Sequence, residues 1–187
     1  MQTVIGHGLP LKSVEILPAE DGAPEVKIHE PAFCVQSGMS GDKVAHMRYH
    51  SLTLSISHSG DWGFCGVMEE ARVPFGVDIE RIEERREAFM QDYFVRDELA
   101  FIETIPRVKR ASIATAIWSA KEAALKAIRV GLLTDTRAVK CLPQGDGEDW
   151  SLVSIAWDQL KLKKPVPRLV GWWRVWKDFV LTIAYPD

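Results

Sequence analysis

Between residues 52 and 57 apolar and polar positions alternate. Leu52, Leu54 and Ile56 interleave with Thr53, Ser55 and Ser57, a period of two that predicts a strand with an apolar face. His58-Ser59-Gly60-Asp61 is turn chemistry, and Trp62 to Met68 is rich in Trp, Phe and Val. The pattern predicts a hairpin with His58 at its corner. Glu69 to Arg72 then links to a third strand over Pro74 to Ile79. From there the period lengthens. Residues 83–94 and 97–104 read as helices, broken at Ile105-Pro106 because proline has no amide to donate. A longer helix is expected from Ser112, as N-cap, to Arg129, with Gly131 as the C-capping glycine. Ile113, Ile117, Ala120, Ala124 and Ala127 form its apolar stripe. Thr115, Ser119, Glu122, Lys126 and Arg129 fall on another face.

The ends of the chain read as strands. Trp150 to Trp157 is one, and Leu169 to Trp176 with Phe179 to Tyr185 forms a hairpin turning at Lys177-Asp178. Before residue 50 the pattern is weaker. Leu11 to Leu17 and Val26 to Ile28 are short strand candidates, separated by a loop over Pro18 to Pro24, and Gln36 to Lys43 is a Gly/Ser-rich loop. Strands on both sides of a helical block give an α+β class, antiparallel strands packed on helices, rather than a regular βαβ repeat.

Composition narrows the classes. A chain of 187 residues fits one domain, or two small halves sharing a core and meeting near Glu69 to Pro74. A net charge of -3 argues against a general nucleic-acid binder, which carries a basic footprint. Cys34, Cys65 and Cys141 are scattered without metal-ligand spacing, so they read as reduced thiols and the expected compartment is the cytoplasm. No signal peptide is evident, and no apolar run reaches the roughly 20 residues that span a bilayer.

Three places carry candidate chemistry. Asp78 and Glu80 sit at i and i+2 of a strand and so share a face. Two carboxylates side by side repel unless a proton or cation lies between them, and an all-oxygen pair suits Mg²⁺. The plain alternative is a solvated strand end. Glu122 and Lys126 stand at i and i+4 of the long helix. Alone they are a surface ion pair of about 0.3–0.5 kcal/mol. Facing Asp78 and Glu80, they complete a metal and diphosphate site. His58, among Ser57, Ser59 and Gly60, offers hydroxyls and backbone amides to an anion, or merely caps its own hairpin.

Ser57-His58-Ser59-Gly60-Asp61-Trp62, Gly76-Val77-Asp78-Ile79-Glu80 and Trp118-Ser119-Ala120-Lys121-Glu122-Ala123-Ala124-Leu125-Lys126 together resemble the 4'-phosphopantetheinyl transferases. Their order, histidine motif first, resembles the longer Sfp-type enzymes. The resemblance implies two pseudo-symmetric α/β halves in one domain over 1–187: a shortened N-terminal half (1–73) and a C-terminal half (74–187). It implies that Asp78, Glu80 and Glu122 hold Mg²⁺ on the diphosphate of coenzyme A, and that Ser57, His58, Lys121 and Lys126 contact phosphate. Glu122, or a metal-linked water, helps deprotonate the serine of an acyl or peptidyl carrier protein, and Glu98, in a segment similar to the family's, is a further catalytic candidate. The partners implied are the carrier and coenzyme A, without nucleic acid or membrane, and a monomer. Arg81, Arg85, Arg86, Arg107, Lys109 and Arg110 are candidates for docking an acidic carrier. The chain departs from the family twice: the segment before His58 is short for the basic helical stretch that holds the coenzyme's adenine and 3'-phosphate, and at Gly22-Ala23-Pro24 a usual lysine is missing, for which Lys27 or Lys43 is the candidate substitute. Two other classes share part of this pattern: a non-catalytic binding module of the same fold, and a carboxylate-metal phosphodiesterase or nuclease.

Overall fold

The computed structural model describes residues 14–28, 52–69, 72–131, 134–162 and 165–187. The 36–43 loop, Lys43, Cys34 and the side chain of Lys27 lie outside the described residues. Strands β1 (Val14–Pro18) and β2 (Pro24–Ile28) form one antiparallel hairpin. Strands β3 (Thr53–Ser59) and β4 (Trp62–Met68) form a second. After β5 (Gly76–Arg81) come three helices, α1 (Glu87–Tyr93), α2 (Arg96–Thr104) and α3 (Arg107–Ala127). Strands β6 (Val139–Pro143), β7 (Ser151–Trp157), β8 (Leu169–Trp176) and β9 (Phe179–Pro186) follow. The last four join β5 in an antiparallel sheet of order β5-β9-β8-β7-β6. The class is α+β.

Helix α3 packs across this sheet, and its alanines with Ile113, Ile117 and Leu125 meet Val139, Val153, Trp173, Val180 and Ala184 in the main core. It begins five residues earlier than the pattern predicted. Pro106 precedes its first turn with a backbone φ of -53°, the value its ring imposes and a helix start accepts. Ser112 therefore caps nothing; its hydroxyl donates back to the Lys109 carbonyl. At the other end the reversal falls on Arg129, not Gly131. Arg129 has φ 57°, and the amides of Val130 and Arg129 reach back to the carbonyls of Leu125 and Lys126, a Schellman closure. The Arg129 guanidinium then pairs with Asp21 at 2.7 Å, tying the β1–β2 hairpin to the helix end. Helix α1 is shorter than the 83–94 reading. The Ile82 amide donates to Asp178 O and Arg85 folds back onto Glu80 and Glu83, so residues 82–86 form an irregular link between β5 and α1. Strand β6 was not anticipated.

The largest departure is in β3. Its period is two, as expected, but its polar face is packed as deeply as its apolar one. Ser55 and Ser57 are buried, while Ile56 is 42% exposed. The serine face lies against β5, whose outer edge has backbone amides to satisfy. Ser55 Oγ accepts the Val77 amide at 2.9 Å, and Ser59 Oγ accepts that of Arg81 at 3.2 Å. His58 lies inside β3, opposite Gly63, rather than at the corner. The corner is Gly60-Asp61, with Gly60 at φ 57°, where a two-residue turn wants glycine.

Candidate functional site

From Ile113 to Ala127 every residue of α3 is buried except Glu122 and Lys126. This is a window in an otherwise sealed helix, and β5 faces it. Asp78, 1% exposed, takes hydrogen bonds on both carboxylate oxygens. Oδ1 accepts Ser57 Oγ at 2.6 Å and Lys126 Nζ at 2.6 Å. Oδ2 accepts Ser119 Oγ at 2.7 Å, and that hydroxyl lies 2.8 Å from Thr182 Oγ1. Lys126 Nζ also donates to Ser57 Oγ at 2.9 Å and stands 3.7 Å from Glu122 Oε2. Two strands and one helix thus converge on a single carboxylate.

Glu80 accepts Trp118 Nε1 at 3.1 Å and Arg85 at 3.0 Å, on different oxygens. Phe89 and Tyr93 wall Trp118 at ring-centroid distances of 5.0 and 5.3 Å. Asp78, Glu80 and Glu122 can each bring one oxygen to within 4.8 Å of the others. Three negative charges meet two positive ones, Lys126 and Arg85, so the cluster is under-neutralised. The imbalance shows in its proton affinities. Burial first, and then the neighbouring Asp78, push the Glu122 carboxyl from its ordinary 4.5 to about 7, against the pull of Lys126. Burial and Asp78 also raise Glu80, against Arg85 and Trp118. A cation among three such oxygens relieves the repulsion. Each carboxylate has about four lone-pair sites, so the bonds already made to Glu80 leave acceptors free. The donor set is all oxygen and fits a hard divalent ion such as Mg²⁺.

Lys121 and Glu98, expected at this centre, are elsewhere. Both side chains are fully buried on the other side of α3, 2.9 Å apart. Lys121 Nζ also donates to the carbonyls of Val139 at 2.6 Å and Thr136 at 3.0 Å. Glu98 accepts the amides of Val95 at 2.8 Å and Cys141 at 2.7 Å. Neither has a surface left for phosphate or a serine, because a helix turns by about 100° per residue and Lys121 cannot share the direction of Glu122. His58 projects to the exposed face of β3, away from Ser57 and Asp78.

Beside the centre, helices α1, α2 and the start of α3 enclose a cleft of about 580 Å³. Met90, Leu99, Ile102 and Ala114 line it, with Arg85, Arg107 and Arg110 among its charged residues. Arg85 belongs both to this cleft and, through Glu80, to the carboxylates.

Residues 74–184 match the model of the 4'-phosphopantetheinyl transferase superfamily. The chain belongs to that superfamily. The matched span contains Asp78, Glu80, Glu98, Lys121, Glu122 and Lys126, and begins after Ser57 and His58. Among curated relatives of this chain, the 4'-phosphopantetheinyl transferase gsp of Aneurinibacillus migulanus is 31% identical over 78 residues, 42% of this chain and 32% of that protein. The 4'-phosphopantetheinyl transferase psf-1 of Bacillus pumilus is 33% identical over 82 residues, 44% of this chain and 34% of that one. The matches thus span about a third of those relatives' length. Among solved structures, the holo-[acyl-carrier-protein] synthase AcpS of Neisseria meningitidis aligns with a TM-score of 0.47 at 16% identity, over 62% of this chain and 98% of that one.

Sequence reasoning missed several residues of the centre. Ser119 continues the Glu122–Lys126 stripe one turn back, and that spacing was a usable signal. Ser55 precedes Ser57 at period two, which signalled a polar strand face. Thr182 and the Glu80 contact of Arg85 left none, because each depends on a neighbour distant in the chain or on a loop.

Proposed function

We propose that this chain transfers the 4'-phosphopantetheine arm of coenzyme A to a serine of an acyl or peptidyl carrier protein and releases 3',5'-ADP. The observation that carries the reading is the Glu122–Lys126 window facing Asp78 and Glu80, within a chain of this superfamily. Asp78, Glu80 and Glu122 hold Mg²⁺, which supplies Lewis-acid polarisation of the diphosphate and a template for it. Lys126 and Ser57 contact the diphosphate oxygens, and Lys126 offsets the charge that develops on the transferred phosphorus. His58, on the outer face of β3, reaches the coenzyme rather than the carboxylates. Glu122 takes the proton of the carrier serine as its oxygen bonds to the β-phosphorus. The bond from that phosphorus to the bridging oxygen breaks, and 3',5'-ADP leaves with the oxygen. Lys121 and Glu98 contact no reactant.

The cleft is the proposed carrier dock because it adjoins the centre through Arg85; its charges are mixed, with Glu84, Glu87 and Glu103 beside its three arginines. We further read 1–73 and 74–187 as parts of one domain, working as a cytoplasmic monomer. The test is intact-mass spectrometry of a carrier protein incubated with the chain, coenzyme A and Mg²⁺. A gain of one phosphopantetheine arm is expected. No gain on fatty-acid, polyketide and peptide carriers, with a competent transferase run in parallel, overturns the reading in favour of a carrier- or coenzyme-binding module.

A further inference from the structure

Between Ile113 and Ala127, helix α3 presents six alanines, at 114, 116, 120, 123, 124 and 127. Alanines offer few ridges to interlock, so side-chain packing keys the rotation of α3 about its axis at a few larger residues, Ile113, Ile117, Trp118 and Leu125. Its direction matters, because a turn of one residue, about 100°, would carry Glu122 away from Asp78 and Glu80. Polar contacts add direction to that packing. Those of Ser119 and Lys126 lie on the site face, and Lys126 belongs to the cluster that a cation would rearrange. On the opposite side Lys121 makes three contacts, with Glu98, Thr136 O and Val139 O. Glu98 in turn accepts the N-cap amide of α2 and the Cys141 amide of β6. The pair therefore joins α2, α3, β6 and the turn before β6 in one buried knot.

We propose that Glu98 and Lys121 are positioning residues: their sealed pair locks the rotation of α3 so that Glu122, the next residue, completes the metal site. Burying two charges costs free energy that apolar side chains would not. What the pair gives in return is direction. The inference rests on the metal-site reading above, and it turns the two residues from reactant contacts into a brace behind the helix.

The test uses the full chain without coenzyme A, with Mn²⁺ as the probe ion, followed by electron paramagnetic resonance. The double variant Glu98→Gln/Lys121→Met removes both charges while its amide still serves the Cys141 N–H. It is expected to unfold cooperatively, yet to bind Mn²⁺ at least about tenfold more weakly than the wild type. Mn²⁺ affinity equal to wild type in the folded double variant overturns the proposal, whatever its Tm. Unchanged Mn²⁺ affinity with a raised KM for coenzyme A would instead make Lys121 a phosphate contact. Should the double variant fail to fold, Glu98→Asp keeps the charge, retracts the carboxylate by one methylene and carries the same expected loss. A wild type that binds no Mn²⁺ overturns the metal reading itself, a result distinct from either variant's.

Discussion

Lys121 and Lys126 lie little more than one turn apart on α3, and both meet a buried carboxylate. Lys121 with Glu98 is closed on every side. One positive and one negative charge cancel, main-chain groups take the other two donors of Lys121 and bond both oxygens of Glu98, and neither side chain is exposed. Lys126 with Asp78 is open. Its lysine is 29% exposed, its carboxylate has two further carboxylates beside it, and the charges do not balance. The sealed pair has nothing left to bind, whereas the open pair still needs a cation. An ion pair in a motif is thus informative only with its surroundings, because surplus charge and access mark a site and the pair itself does not.

The contrast is tested first by activity. Asp78→Ala takes the partner from Lys126, Ser57 and Ser119 and one ligand from the cation. Transfer should fall by about 10³-fold or more, the scale of losing several kcal/mol of transition-state stabilisation, with far-ultraviolet circular dichroism unchanged. Carrier modification within tenfold of wild type would erase the distinction between the pairs.

Stability should rank the pairs the other way. Lys121→Met strands the Glu98 carboxylate in the core and should cost about 3–5 kcal/mol in urea unfolding. Lys126→Met leaves Asp78 its two hydroxyl donors and should cost about 1–2 kcal/mol. Equal costs would mean that the lysines are buried alike.

The open cluster should also respond to pH. The folded-state pKa of Glu122, about 7, lies above its ordinary 4.5, so folding favours the protonated acid. That contribution is complete below about pH 4.5 and is lost as pH rises through about 7. The raised Glu80 acts in the same direction. Metal-free protein should therefore unfold at lower urea at about pH 8 than at about pH 5, and Glu122→Gln should flatten the difference. A metal-free wild type that gains stability over this window contradicts the crowding of carboxylates.

The smallest effect lies at the end of α3. Arg129→Gly removes the left-handed strain of a side chain, worth about 1 kcal/mol, and also the exposed pair with Asp21, worth about 0–1 kcal/mol. A net change within about 0.5 kcal/mol is expected by thermal unfolding. A much larger loss would make the β1–β2 hairpin depend on that pair.

The legible parts of the molecule follow from local rules. The period of two in β3, the Trp, Phe and Val content of β4, the proline break at 106 and the stripe of α3 each need only a few neighbouring residues. So did the shared face of Asp78 and Glu80, and the i, i+4 spacing of Glu122 and Lys126. What stayed hidden depends on partners far along the chain. The serine face of β3 is buried because β5 has edge amides to satisfy, and nothing in 53–59 says so. Lys121 and Glu122 are adjacent in one motif, and only the positions of β5 and β6 decide that one faces the site and the other the core. Strand β6 escaped because its five residues hold a lysine and end in proline.

Gly76 begins β5 where the strand crosses α3. A methyl group on its Cα would run into the carbonyl oxygen of Ala123 and crowd the amide of Ala127. The two backbones therefore touch there, with hydrogen as the only spacer. Two residues further along the strand stands Asp78, and one residue before Ala123 stands Glu122. That contact sets how closely the backbones that carry these two carboxylates approach, so the spacing of the site depends on a position that is neither a ligand nor charged.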